Sequence, residues 1–288
     1  MSTSEALSPS TRLGPVQLAV TDLERSTGFY DEAIGLSVHR REDGGVALGA
    51  GGEELLVLHE EPDAVPAGGG QAGLYHFALL HPSRRELAAA AQRLGRTGTP
   101  IQGASDHKFS EAIYLPDPDG NGIELYADRP REQWPDPLEG LPPGGPMPLD
   151  LQGLLELVSD GEPRGRADPD LVVGHIHLHV GAIEDALGFY RDVIGFEPMI
   201  LLPSAAFVSA GGYHHHLGLN TWRGRGVGPA PGGTVGLRRW TIHLPDEAEV
   251  ERVRARVLDA GLEYEERPGG FLVRDPWGIP LLVAAEAP

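Results

Sequence analysis

IHLHVGAIEDALGFYRDVIGFEP, residues Ile176 to Pro198, has an earlier counterpart in VQLAVTDLERSTGFYDEAIGLSV, Val16 to Val38. Both open with an alternating strand, pass into an amphipathic helix carrying a Phe-Tyr pair, and end at an Ile-Gly turn. Repetition on this scale marks a fold assembled from copies of one supersecondary unit. A second, fainter pair joins LYHFALLHPSRRELAAAAQRLGRTG, from Leu74, to LRRWTIHLPDEAEVERVRARVLDAG, from Leu237. Each reads as a strand, a loop with Pro, and an Ala/Leu-patterned helix ended by Gly. Their closing hairpins also correspond, IYLPDPDGNGIELY (Ile113–Tyr126) against LVRDPWGIPLLV (Leu272–Val283), with Asp-Pro and Gly marking the turns.

The chain therefore contains four strand–helix–strands modules, at roughly 14–62, 72–128, 173–223 and 236–285. The expected fold class is α+β: four βαβββ modules in two domains, 12–130 and 172–286, joined by a Pro/Gly-rich linker over 131–171. A single module leaves one sheet face bare, so modules should pair into cupped half-barrel sheets with helices on the outer faces.

At 288 residues the chain can bury two ordinary cores. A net charge of -19 argues against a nucleic-acid partner, which needs clustered Lys and Arg. The absence of cysteine excludes disulfides, zinc-thiolate sites, iron–sulfur clusters and thiol nucleophiles, so any metal must sit on nitrogen and oxygen. MSTSEALSPSTRLGP lacks the blocks of a signal peptide, and no apolar run approaches the roughly 20 residues that span a bilayer. A cytoplasmic protein without a membrane partner is expected.

Histidine is concentrated in two places. In GHIHLHV, His175, His177 and His179 alternate with Ile176, Leu178 and Val180, so the three imidazoles share one strand face. GGYHHHLGLNTW adds His214, His215 and His216. The second module contributes His76 on its opening strand and Glu124 on its last. A carboxylate on a concave sheet face is costly unless paired or bound to a cation. Two neutral imidazoles and one carboxylate can hold Fe(II) on one face and leave positions open. The residues alone leave packed core histidines and an exposed edge-strand glutamate as the alternatives.

With these residues in view, the sequence resembles the vicinal oxygen chelate superfamily of glyoxalases, bleomycin resistance proteins and extradiol dioxygenases. More narrowly it is similar to the catechol 2,3-dioxygenase-like group. YLPDPDGNGIE, Tyr114 to Glu124, resembles the signature in which a tyrosine precedes the metal-binding glutamate by ten positions. The resemblance implies His76 and Glu124 as metal ligands, His177 of the partner module as the third, and Fe(II) as the ion, with Mn(II) as the alternative. It also implies a small aromatic substrate, O2 as co-substrate, and a structure compatible with homo-oligomers. His215, with His216 beside it, falls where the family carries a catalytic histidine, and Tyr114 where it carries a hydrogen-bond donor. Phe109 stands where many extradiol enzymes have an acid histidine, and His107 is the nearby substitute.

In the familiar enzymes the glutamate lies in the fourth module. Here that module has Arg239 at the position of His76 and Pro280 at the position of Glu124, and the first module has Gln17 at the position of His177. Only a pairing of the second module with the third assembles the implied ligands, leaving the first and fourth as a degenerate partner. A glyoxalase-like isomerase or lyase, and a non-catalytic small-molecule-binding resistance protein, are the alternative functions on this scaffold. Glyoxalases place a second carboxylate at the metal, and GGYHHHLGLNTW offers none.

Overall fold

The structure, a computed structural model, describes residues 6–135, 145–160 and 164–286. Two nine-stranded sheets carry the fold. The first runs in the order Met147–Pro148, Gly103–Asp106, Ser110–Pro116, Gly122–Asp128, Gly73–His81, Val172–His179, Leu217–Asn220, Ala205–Ser209, Glu197–Leu202. It joins the second module to the third through the antiparallel neighbours Gly73–His81 and Val172–His179. The second sheet joins the fourth module to the first through Gly236–Leu244 and Val16–Val20. Both pairings are those expected from the distribution of His76, Glu124 and the histidines of the third module.

One face of each sheet is sealed by helices. Ile176, Leu178 and Val180 are buried on that side with Ile183, Phe189 and Tyr190 of the following helical segment. Each Phe-Tyr segment closes in a π-helical turn, Tyr30–Ile34 and Gly188–Ile194. Gly35 and Gly195 then take the left-handed conformation, φ 85° and 107°, that ends it.

The matched motifs tie the halves together in a second direction. Tyr30 donates to Asp117 (2.9 Å), in the Asp-Pro turn of the second module. Tyr190 donates in the same way to Asp275 (3.0 Å), in the fourth. The buried Arg93 guanidinium caps the carbonyls of Ala33 and Ile34, and Arg256 those of Val193 and Ile194. Sheets therefore link modules two with three and one with four, while these polar ties link one with two and three with four.

The stretch expected to be a plain linker carries short elements. Met147–Pro148 adds an edge strand to Gly103–Asp106, and helix Leu151–Glu156 packs on helix Arg84–Thr97 with Leu154 buried. Leu151 and Leu154, three residues apart, share one face and pack on the core. Residues 136–144 and 161–163 of that stretch lie outside the described residues. Among the described residues no helix is long and apolar enough to cross a membrane.

Candidate metal centre and substrate cavity

Residues directly opposed across a sheet project from the same face. His175 lies opposite Ala78, Ala78 opposite Glu124, and Glu124 opposite Tyr114. Ala78 presents only a methyl group, so the long side chains flanking it converge above it. His175 Nε2 comes within 3.0 Å of Glu124 Oε2. His76, two residues before Ala78, leans in from the adjoining row to 2.9 Å from Glu124 Oε2 and 3.3 Å from His175 Nε2. All three side chains are buried.

Among the described residues the imidazole that closes a triangle with His76 and Glu124 is that of His175, while His177, expected above as the third ligand, stands outside it. Both histidines lie on the face that alternation assigns them. His177, however, pairs with His76 itself, one row further from Glu124. Its ring centroid is 5.0 Å from that of His76, and its buried Nε2 has no partner among the described residues. Gly218 stands opposite His177 on the next strand and leaves room for the ring; a Cβ there would lie 2.8 Å from His177 Cγ.

The triangle fits a metal ion. Ligand atoms about 2.1 Å from a cation at right angles to one another are separated by about 3 Å, which is the spacing observed. Protons alone satisfy the arrangement poorly, because two N–H groups aimed at Glu124 leave the two imidazole nitrogens facing each other at 3.3 Å. The protonation states suit ligation as well. Burial lowers His175 to about 4 despite the adjacent Glu124, so it is neutral at pH 7. Burial works to raise Glu124, but the charge that His175 takes on at low pH and the hydrogen bonds from His175 and His76 outweigh it and hold the carboxyl well below its usual range.

A cavity of about 500 Å³ opens over the triangle. His107, Tyr114, His177, His214 and His215 line it, together with Phe207 and Trp222. Tyr114 Oη is 2.7 Å from His107 Nε2. Burial, reinforced by Glu124, raises the Tyr114 phenol well above its ordinary value and keeps it protonated. His215 stacks near His175, with centroids 4.2 Å apart, and burial holds it well below 6.5. The neutral form therefore prevails, instead of the near-neutral balance that a free imidazole would have.

His214 also reaches the cavity: its Nε2 lies 2.9 Å from Asp128 Oδ1 and its Nδ1 2.8 Å from His215 Nδ1. His216 goes elsewhere, its Nδ1 held by Ser209 Oγ and the Ala210 N–H, and it faces a different cavity. Phe77 and Trp240 are core residues, fully buried.

The sequence did hold a signal for His175. His76 stands three residues before Leu79, and His175 three before Leu178, the same frame in both opening strands. Asp128 had no such signal, because its partner His214 lies 86 positions away.

Comparison with known proteins agrees with this architecture. Residues 12–125 match the model of the Glyoxalase/Bleomycin resistance protein/Dioxygenase superfamily. The chain is 46% identical over 270 residues to the catechol-2,3-dioxygenase of Bacillus subtilis (strain 168), covering 92% of this chain and 94% of that protein. The chain belongs to the catechol-2,3-dioxygenase-like group of that superfamily. A shorter relative, the glutathione transferase FosA of Serratia marcescens, is 29% identical over 115 residues, 40% of this chain and 79% of that one. Among solved structures, glyoxalase I from Zea mays superposes with a TM-score of 0.60 at 18% identity, over 96% of this chain and 92% of that one. That likeness shows a shared fold. As a member of the dioxygenase-like group, the chain is an enzyme with a possible metal-binding triad in place.

Proposed function

We propose that this protein is an extradiol ring-cleaving dioxygenase that holds Fe(II), with Mn(II) as the alternative ion, on His76, His175 and Glu124, and cleaves a catechol-like aromatic with O2. The observation that carries the reading is the buried triangle of two imidazole nitrogens and one carboxylate oxygen under an open cavity. When bound, the ion supplies a Lewis acid that lowers the pKa of the catechol hydroxyls and an open position for oxygen.

The remaining work falls to the protein. Asp128 Oδ1 accepts a hydrogen bond from His214 Nε2–H, which leaves His214 Nδ1 as an acceptor for the Nδ1–H of His215. That network assigns the His215 tautomer with a bare Nε2, the form able to take a proton from a substrate hydroxyl. Tyr114 and His107, sharing a short hydrogen bond, offer a donor on the other side of the triangle to an oxygen that gains negative charge. His177 presents an unpartnered imidazole to the cavity and orients the ring of the substrate.

Glu124 is the only carboxylate among the described residues lining the cavity, which favours oxygenase chemistry over a glyoxalase site with two. The test is anaerobic purification, loading with Fe(II), and addition of catechol and O2. Stoichiometric oxygen uptake with a yellow ring-cleavage product is expected. Metal bound without oxygen uptake, or no metal bound at all, overturns the proposal.

A further inference from the structure

We infer that Tyr75 is a substrate-binding residue whose phenol donates a hydrogen bond to an oxygen of the diol bound over the triangle; the inference rests on the dioxygenase reading and adds a residue to its site. Regular alternation would turn Tyr75 away from the face that carries His76. The pairing breaks at this point. His177 lies opposite His76 and Leu178 opposite Leu74, so Tyr75 is an extra residue with none opposed to it. Such a bulge re-aims the side chain it carries. Leu74 packs against the core, and Tyr75 joins His76 in lining the cavity. Gly122 makes room for the bend, because a Cβ there would collide with the Tyr75 carbonyl.

The companion sheet repeats the bulge with a different occupant. Leu237 lies opposite Leu18 and Arg239 opposite Gln17, which leaves Arg238 unopposed. Its guanidinium donates to both Glu61 oxygens, at 2.7 and 2.6 Å, and to the Thr234 carbonyl at 2.8 Å. Tyr75 has no comparable tie. Its hydroxyl bonds to none of the described residues, and the residue stays 40% exposed where it lines the cavity. The ring, by contrast, is held. Its centroid lies 4.9 Å from that of His76, 5.1 Å from His177, 4.9 Å from His179 and 5.4 Å from Trp222. Trp222 is itself anchored, its N–H donating to Asn220 Oδ1 (3.0 Å), which also meets His179 Nδ1 at 2.7 Å. A phenol carries its proton at neutral pH and is a donor. A fixed ring with a spare donor is pre-organised for a ligand oxygen, because little freedom is lost when the bond forms. Tyr114, the other phenol lining the cavity, is already joined to His107.

Tyr75→Phe keeps the ring and removes only the hydroxyl. The experiment measures iron content, then anaerobic binding of 4-nitrocatechol to the iron-loaded protein by its visible absorption, and finally steady-state turnover of catechol. Iron is expected at the parental level, with the Kd for 4-nitrocatechol and the KM for catechol each raised about tenfold. The kcat should stay within about twofold, because the bond is made in the ground state and the transition state alike. Parental Kd and KM in Tyr75→Phe overturn this inference and leave the dioxygenase reading standing, since the ring would then serve packing alone. Iron lost from the variant also overturns it, by assigning Tyr75 to the support of the metal ligands. Failure of the parent protein to bind 4-nitrocatechol and to consume oxygen with catechol overturns both.

Discussion

His175→Ala and His177→Ala are expected to behave differently, although the two residues share a strand and a face. His175 Nε2 lies 3.0 Å from Glu124 Oε2, so its loss opens the triangle, and metal analysis should find little iron retained. His177 lies one row away, so His177→Ala should keep near-stoichiometric iron while the KM for catechol rises. Equal loss of metal in both variants would return His177 to the ligand set. Asp128 acts on a side chain it does not touch. Asp128→Ala frees His214 to turn, and with it the Nδ1–H of His215 that His214 accepts. A fall in kcat of about 10–100-fold, with metal content and KM little changed, is expected from the loss of such an orienting partner. A change in KM alone would show that the network serves binding instead.

At the level of strands and turns, Gly218 and Asp275 carry the clearest consequences. Gly218→Ala places a methyl 2.8 Å from His177 Cγ, and the strand pairing leaves neither backbone free to retreat. A loss of about 1–3 kcal/mol in unfolding free energy, with a raised KM, is expected. Asp275 anchors the Asp-Pro turn by accepting from Tyr190 and from the Trp277 and Ile279 amides, yet burial raises its pKa to about 6. Between about pH 4 and pH 6 the folded chain keeps a proton there that an unfolded aspartate, near 3.9, has released. This residue's contribution to stability therefore falls as pH rises through that window. Asp275→Asn cannot ionise, so its stability relative to the parent should rise by about 2–3 kcal/mol between pH 4 and pH 7. Denaturant melts of both proteins at the two pH values check it, and a difference independent of pH would count against a raised Asp275.

Across the whole molecule, one sheet carries the candidate chemistry and its quasi-symmetric companion does not. Arg239 occupies the companion position of His76, opposite Gln17. Arg239→Ala should accordingly leave iron content unchanged, and loss of iron there would contradict the assignment of the site to the second and third modules. Much of this was legible in one dimension. The matched Phe-Tyr and Asp-Pro motifs reveal four copies of one module, because each copy repeats the same burial problem and solves it with the same residues. Alternation in GHIHLHV places three imidazoles on one face, because successive strand residues point to opposite sides. Arg239 in the place of His76 shows that the fourth module cannot supply that imidazole, and the register puts Leu282, not the expected Pro280, in the place of Glu124. That His175 closes the triangle while His177 stands outside it, which the matched frame of the two opening strands only hints at, and that Asp128 reaches His214 become visible only in three dimensions. Alternation has a period of two and says nothing about which neighbour lies opposite. That depends on register between distant strands, which here shifts at irregularities on either side of His175 and His177, and on Ala78 being small enough for its flanking side chains to meet.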